Sequence, residues 1–250
     1  MDGLLPEGLS VVSATLLIGA SFLTSALTAA FGIGGGVALL TLMGYVLPVA
    51  ALVPVHGAVQ LASNAGRMHV QRALLDWSAL IPFAIGAAAG ALLGAQFVVR
   101  LDNPLLTVLL GAFIIAVTWV KLPALANSNP AIFAGGGLVT TFATMFFGAT
   151  GPLTAIFFEK TFPDRRAYSG NHAAAMTAQH GVKVIAFAIA GFAFFQWLPL
   201  IAAMAAMGYA GTLAGSRFLS SVPETRFRLW FRILITLLAL DLMRRGLLAL

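Results

Sequence analysis

The stretch Phe31-Gly32-Ile33-Gly34-Gly35-Gly36-Val37 decides the fold, because residues 10–30 before it and 37–53 after it are almost wholly apolar. Glycine has no Cβ and enters left-handed backbone freely, so a helix passing through this run breaks. In hydrocarbon a broken helix strands N–H and C=O groups, which is tolerated only where the break is buried in protein or lines a wet cavity. The stretch recurs in degenerate form as Phe147-Gly148-Ala149-Thr150-Gly151-Pro152-Leu153. Two broken helices in corresponding places of two halves point to a transport site near the bilayer midplane.

Working outward, the rest of the chain supports a membrane setting. Of its 250 residues, 60% are hydrophobic and only 9% charged, where a soluble domain carries about 25% charged residues. The expected class is therefore an all-α polytopic membrane protein of eight to ten helical segments, since continuous apolar runs lack the in–out alternation of a membrane barrel. The net charge of +6 does not indicate nucleic acid: the basic residues sit singly between apolar runs, as membrane orientation requires. Without cysteine, disulfides, thiolate metal sites and iron–sulfur clusters are excluded. The acidic start Met1-Asp2-Gly3-Leu4-Leu5-Pro6-Glu7 lacks the basic region of a signal peptide, so residues 10–30 read as a retained first helix.

The first half reads as segments 10–31, 36–50, 51–70, 77–98 and 104–122. The polar, proline-bearing linker 124–130 separates a first repeat (1–123) from a second (131–250). The second reads as 131–147, 151–162, 167–190, 197–218 and 226–246. The halves form a repeat: Thr24 and Thr140, Thr28 and Thr144, Phe31 and Phe147, His56 and His172, and Arg67 and Lys183 are each separated by 116 positions. The register then slips, pairing Trp77 with Trp197 and Gly90-xxx-Gly94 with Gly211-xxx-Gly215. These last glycines read as close helix packing.

Five crossings per half would invert the second half relative to the first. With the N-terminus outside, the inner loops collect nine basic residues, among them Arg67, Arg72, Lys121, Lys160 and Arg165, and the outer side keeps three, Arg100, Arg244 and Arg245. This bias predicts two inverted-topology repeats with both termini outside. The short segments 36–50 and 151–162 either span or re-enter.

His56, Gln60, Ser63, Asn64 and Arg67 fall on one arc of about 100° of an otherwise apolar helix. The second copy supplies His172, Gln179, His180 and Lys183, with Asn171 beside them. Ionisable groups at membrane depth cost at least a few kcal/mol, so they face a bundle interior or a cavity. The two stripes are expected to form one polar chamber with Gly32, Gly34, Gly35 and Gly36 of the first break and Gly148, Thr150 and Gly151 of the second. Arg67 and Lys183 sit near helix ends, where snorkelling to the interface is the competing reading; His69 and Arg72 read as solvated loop residues. Carboxylates are almost absent from the segments, Asp241 being the exception, with Arg244 and Arg245 on the next turn to pair with it. Donors and positive helix ends without fixed carboxylates favour a small oxyanion over a metal cation.

Gly-Ile-Gly-Gly-Gly after an apolar helix, its echo Gly-Ala-Thr-Gly-Pro, the Arg72, Asp76, Trp77 stretch and the Gly90-xxx-Gly94 helix together resemble the TauE/SafE sulfite-exporter family, over nearly the whole chain. The resemblance implies a transporter of sulfite, organosulfonates or similar sulfur anions in the bacterial inner membrane. The second copy departs at Thr150 and Pro152, so the two half-sites need not contribute equally. No phosphate-binding loop is present, which points to a secondary transporter without a cofactor or resident metal. If protons are coupled, the histidines are the natural carriers. The rival readings are a passive anion channel, a divalent-metal transporter built on His56, His172 and His180, and, least favoured, an intramembrane enzyme.

Overall fold

In a computed structural model of the chain, residues 5–6, 8–31, 34–98, 103–120, 123–126, 128–218 and 224–250 are described. Gly32 of the expected site, together with Arg100 and Lys121 of the charge pattern, lies outside them. Among the described residues the regular elements are ten α-helices and one 3-10 turn, with no strand. The first set is α1 (Val11–Phe31), α2 (Gly35–Met43), α3 (Val49–Val70), α4 (Trp77–Val98) and α5 (Asn103–Trp119), the 3-10 turn Arg72–Leu74 preceding α4. The second is α6 (Pro130–Phe147), α7 (Gly151–Phe158), α8 (Arg165–Ile189), α9 (Phe194–Phe218) and α10 (Glu224–Leu248).

The expected all-helical polytopic architecture is what the structure has. Among the described residues, four helices are long and apolar enough to cross a membrane: α1, α4, α6 and α9. Together with the shorter apolar α5, they make this a multi-pass membrane protein. The two short segments are shorter than the sequence indicated. Gly44 follows α2 as a helical cap and Pro48 precedes α3; proline has no N–H to continue a ladder, so the chain turns between them. At 1.5 Å per residue, α2 (9 residues) and α7 (8 residues) reach less than half of a roughly 30 Å hydrocarbon core.

The helices pair across the two sets. Helix α1 packs along α9, α4 along α6, α5 along α10, and α3 along α8. Exchanging α1–α5 with α6–α10 maps these pairings onto one another. Apolar burial gives little drive to helix association in lipid, where small residues that admit close backbone contact dominate interfaces. Glycine supplies that contact in both outer pairs. A Cβ on Gly90 would stand 2.3 Å from the Leu138 carbonyl oxygen, and one on Gly211 2.1 Å from that of Phe22. Gly94 and Gly215 are similarly closed, by Met145 and Ala26. Ser21 adds a hydrogen bond from its Oγ to the Met204 carbonyl, 2.7 Å.

The outer helices enclose α3 and α8, which carry the polar stripes. Helices α1, α2, α4, α5, α6 and α7 hold no charged residue at all. On α8, Asn171, His172, Gln179, His180 and Lys183 are all buried. Helix α3 runs beside α8, so that Gly57 meets Lys183 and Gln71 meets Gly170. The costly groups thus face one another rather than lipid.

Candidate functional site

The first break forms because α1 ends at Phe31 and Gly34 takes φ 105°, backbone that an L side chain rarely adopts. Helix α2 then starts in a space with no room for a side chain. A Cβ on Gly35 would lie 2.0 Å from both the Thr24 carbonyl oxygen and Thr28 Oγ1, and one on Gly36 2.3 Å from Gln60 Nε2. The first turn of α2 is therefore wedged between α1 and α3. In the second break Gly148 takes φ 74° and α7 starts at Gly151, with Thr150 before it and Pro152 in its first turn. The breaks meet: a Cβ on Gly148 would stand 2.8 Å from Leu40 Cδ1 of α2.

Between them lies a cavity of about 60 Å³, room for a few water molecules or one small ion. Helix α2 contributes Gly34, Gly35 and Gly36 at its start, and α3 contributes His56, Gln60, Asn64 and Arg67. Gly151 comes from α7, and His172 and His180 from α8. These ten expected residues are brought together. The site also takes in Thr24, Ser25 and Thr28 of α1, and Met176, which the sequence reading did not assign to it. Thr24 and Thr28 carry a signal in the sequence, since both recur 116 residues later, but recurrence alone marks duplication and not a site.

Hydrogen bonds fix most of the lining. His56 Nε2 lies 2.9 Å from the Gly36 carbonyl and His172 Nε2 3.1 Å from that of Gly151. A carbonyl only accepts, so each of these nitrogens carries the hydrogen. Each histidine thereby ties the first turn of a short helix to a long one. Asn64 donates to the Gln60 carbonyl, 2.7 Å, and accepts from Arg67 Nη2. His180 is fully buried, and neither of its ring nitrogens has a partner. Its ring stands 6.2 Å from that of His56, edge-on.

Five expected residues do not line the cavity. Gln179 instead accepts from Thr140 (3.1 Å) and Thr154 (3.2 Å) and donates to Thr150 Oγ1, joining α6, α7 and α8. Lys183 donates to the Gly148 carbonyl, 3.1 Å, and is fully buried. It does not snorkel, because its stem lies over Gly57, where a Cβ would come within 2.5 Å of its Cε. Thr150 and Gly148 are the other ends of these contacts. Asn171 is a correction to the expected chamber: it accepts from Asp76 N (2.8 Å) and donates to the Leu74 carbonyl (2.9 Å), holding the turn before α4. His69 is exposed as expected but belongs to the last turn of α3, with Arg72 3.1 Å away.

The first three N–H groups of α2 have no partner within the helix, the ladder opening with Ala38 N to the Gly34 carbonyl. In α7 the ladder opens with Thr154 N, and Pro152 removes one donor from the first turn. Both helix starts carry the positive end of a dipole. Arg67 is the one full cation among the described lining side chains, and no lining residue is a carboxylate. Chemically, this set of donors suits a small anion.

No solved structure matches this chain. Phospho-N-acetylmuramoyl-pentapeptide-transferase of Cutibacterium acnes is 35% identical over 103 residues, which is 40% of this chain. The match spans 29% of that protein's length. A much longer agreement comes from the family model described as "Sulfite exporter TauE/SafE", which matches residues 17–242 and so takes in both glycine breaks and both polar stripes. On that match, the chain belongs to the sulfite exporter TauE/SafE family.

Proposed function

We propose that the protein is a secondary transporter that exports small sulfur-containing oxyanions, sulfite or an organosulfonate, across the bacterial inner membrane. One observation carries this reading: the first turns of two short helices line a single cavity whose lining has donors and a guanidinium but no carboxylate. Alternating access would rock α1–α5 against α6–α10 around the two breaks. The exchange of helix partners between the sets supports a duplicated architecture, and the loop charges support its inversion, with both termini periplasmic. A monoanion leaving a cell that is negative inside gains about 2.3 kcal/mol per 100 mV, so export needs no nucleotide.

The test is flux of radiolabelled sulfite in liposomes carrying the purified protein. The expected result is saturable flux that a sulfonate competes away, with uphill movement under an imposed potential or proton gradient separating a carrier from a passive pore. Folded protein without anion-dependent flux ends this reading.

A further inference from the structure

A second concavity, of about 440 Å³, lies between α5, α7 and α10. Its apolar part is lined by Phe113 and Val117 of α5 and by Leu153 and Ile156 of α7. Its polar part gathers where α5 and α7 end: Thr118, Glu159 and, from the third turn of α10, Arg232. Trp119 marks the same level. Its Nε1 donates to Thr236 Oγ1, 2.8 Å, and the Arg232 guanidinium stands 6.0 Å from its ring centre. Tryptophan at helix ends is typical of the headgroup level of a bilayer.

Glu159 and Arg232 line one groove without forming an ion pair with each other. Opposite charges held apart above an apolar slot match a molecule with both charges on its head and a hydrocarbon tail. We propose that this groove seats one phospholipid with a zwitterionic, primary-ammonium headgroup. Its phosphate accepts from Arg232, its ammonium donates to Glu159, and an acyl chain fills the slot between α5 and α7. Pro152 lines both this groove and the anion cavity, so the acyl chain packs behind the first turn of α7. An anionic headgroup satisfies Arg232 but sets a negative charge against Glu159. The assignment stands independently of which solute the cavity carries.

The experiment equilibrates the purified full chain with vesicles of equal phosphatidylethanolamine and phosphatidylglycerol, then counts retained lipids by native mass spectrometry. One phosphatidylethanolamine is expected per chain, retained about tenfold over phosphatidylglycerol, as one charge-assisted hydrogen bond warrants. Glu159→Gln is expected to bring the ratio close to one, and Arg232→Gln to lose both lipids, each with a melting temperature near that of the parent. An N-acylated phosphatidylethanolamine, which lacks the ammonium, tests the same contact on the unaltered protein and is expected to lose the preference. Equal retention of the two lipids by the parent, or a preference unchanged in Glu159→Gln or by N-acylation, overturns the proposal.

Discussion

Gly35 and Gly151 begin the two short helices at equivalent positions, yet their surroundings are opposite. Gly35 is pressed against the backbone of α1, with no space for a methyl group, whereas a Cβ on Gly151 would meet only Met176 Cε at 3.8 Å. The same contrast extends along the long helices. Ser63 of α3 lines the cavity, while its counterpart Gln179 is tied to three threonines. Arg67 reaches the cavity, while its counterpart Lys183 is spent on the Gly148 carbonyl. The first break thus presents three backbone donors of a tightly wedged helix start, while the second is tied down through Gly148 and Thr150 by Lys183 and Gln179. On the proposed transport reading, the 116-residue repeat supplies two helix starts on one cavity, and the differences between them favour the first as the one that holds a solute.

The largest expected effect follows from the glycine pair. Gly35→Ala drives a methyl group into a carbonyl oxygen, an overpacking cost of at least about 1–3 kcal/mol. It is expected to lower the melting temperature in detergent and abolish flux. Gly151→Ala meets open space and is expected to stay within about 0.5 kcal/mol of the parent. Equal effects of the two would erase the contrast.

Next comes Lys183→Met. It removes a buried cation paired only with a carbonyl and a hydroxyl, so stability is expected to hold or rise. Lys183 stands outside the cavity lining, so anion affinity, measured by isothermal titration, is expected to fall only about twofold to threefold, through loss of a positive charge near the cavity wall. Coupled loss of stability would instead make Lys183 a brace alone.

Gln179→Ala leaves Thr140, Thr150 and Thr154 without their common partner, an expected cost of about 1–2 kcal/mol in chemical denaturation. Ser63→Ala at the equivalent position is expected to cost less than about 0.5 kcal/mol. The smallest functional effect is expected from Asn171→Ala. It loosens the turn before α4 and costs about 1 kcal/mol of stability, with anion affinity unchanged in the same titration.

Much of this was legible in the residues. The ten helical segments, the two breaks and the polar stripes of α3 and α8 follow from glycine density, apolar run length and helical spacing. These are local signals, and each spacing of 116 repeats them. What the sequence withheld was depth and direction. Asn171 lies next to His172 but one position is about 100° around a helix, enough to turn it to the loop before α4. Lys183 reads from spacing as a chamber residue with snorkelling as the rival, because nothing local announces that Gly57, far away in the chain, opens a slot for its stem. Gln179 matched the stripe by spacing, and only the packing of α6 and α7 against it reveals three hydroxyls within reach.

On the proposed reading the anion sits at the first turn of α2, residues 35–37, in the cavity that Arg67 and His180 also line. Anomalous diffraction from crystals soaked in selenite, a heavier analogue of sulfite, tests it most directly. One selenium peak is expected in the cavity, its oxygens within hydrogen-bond distance of the first N–H groups of α2 and close to Arg67. A peak elsewhere, or an empty cavity in protein that still transports selenite, contradicts it.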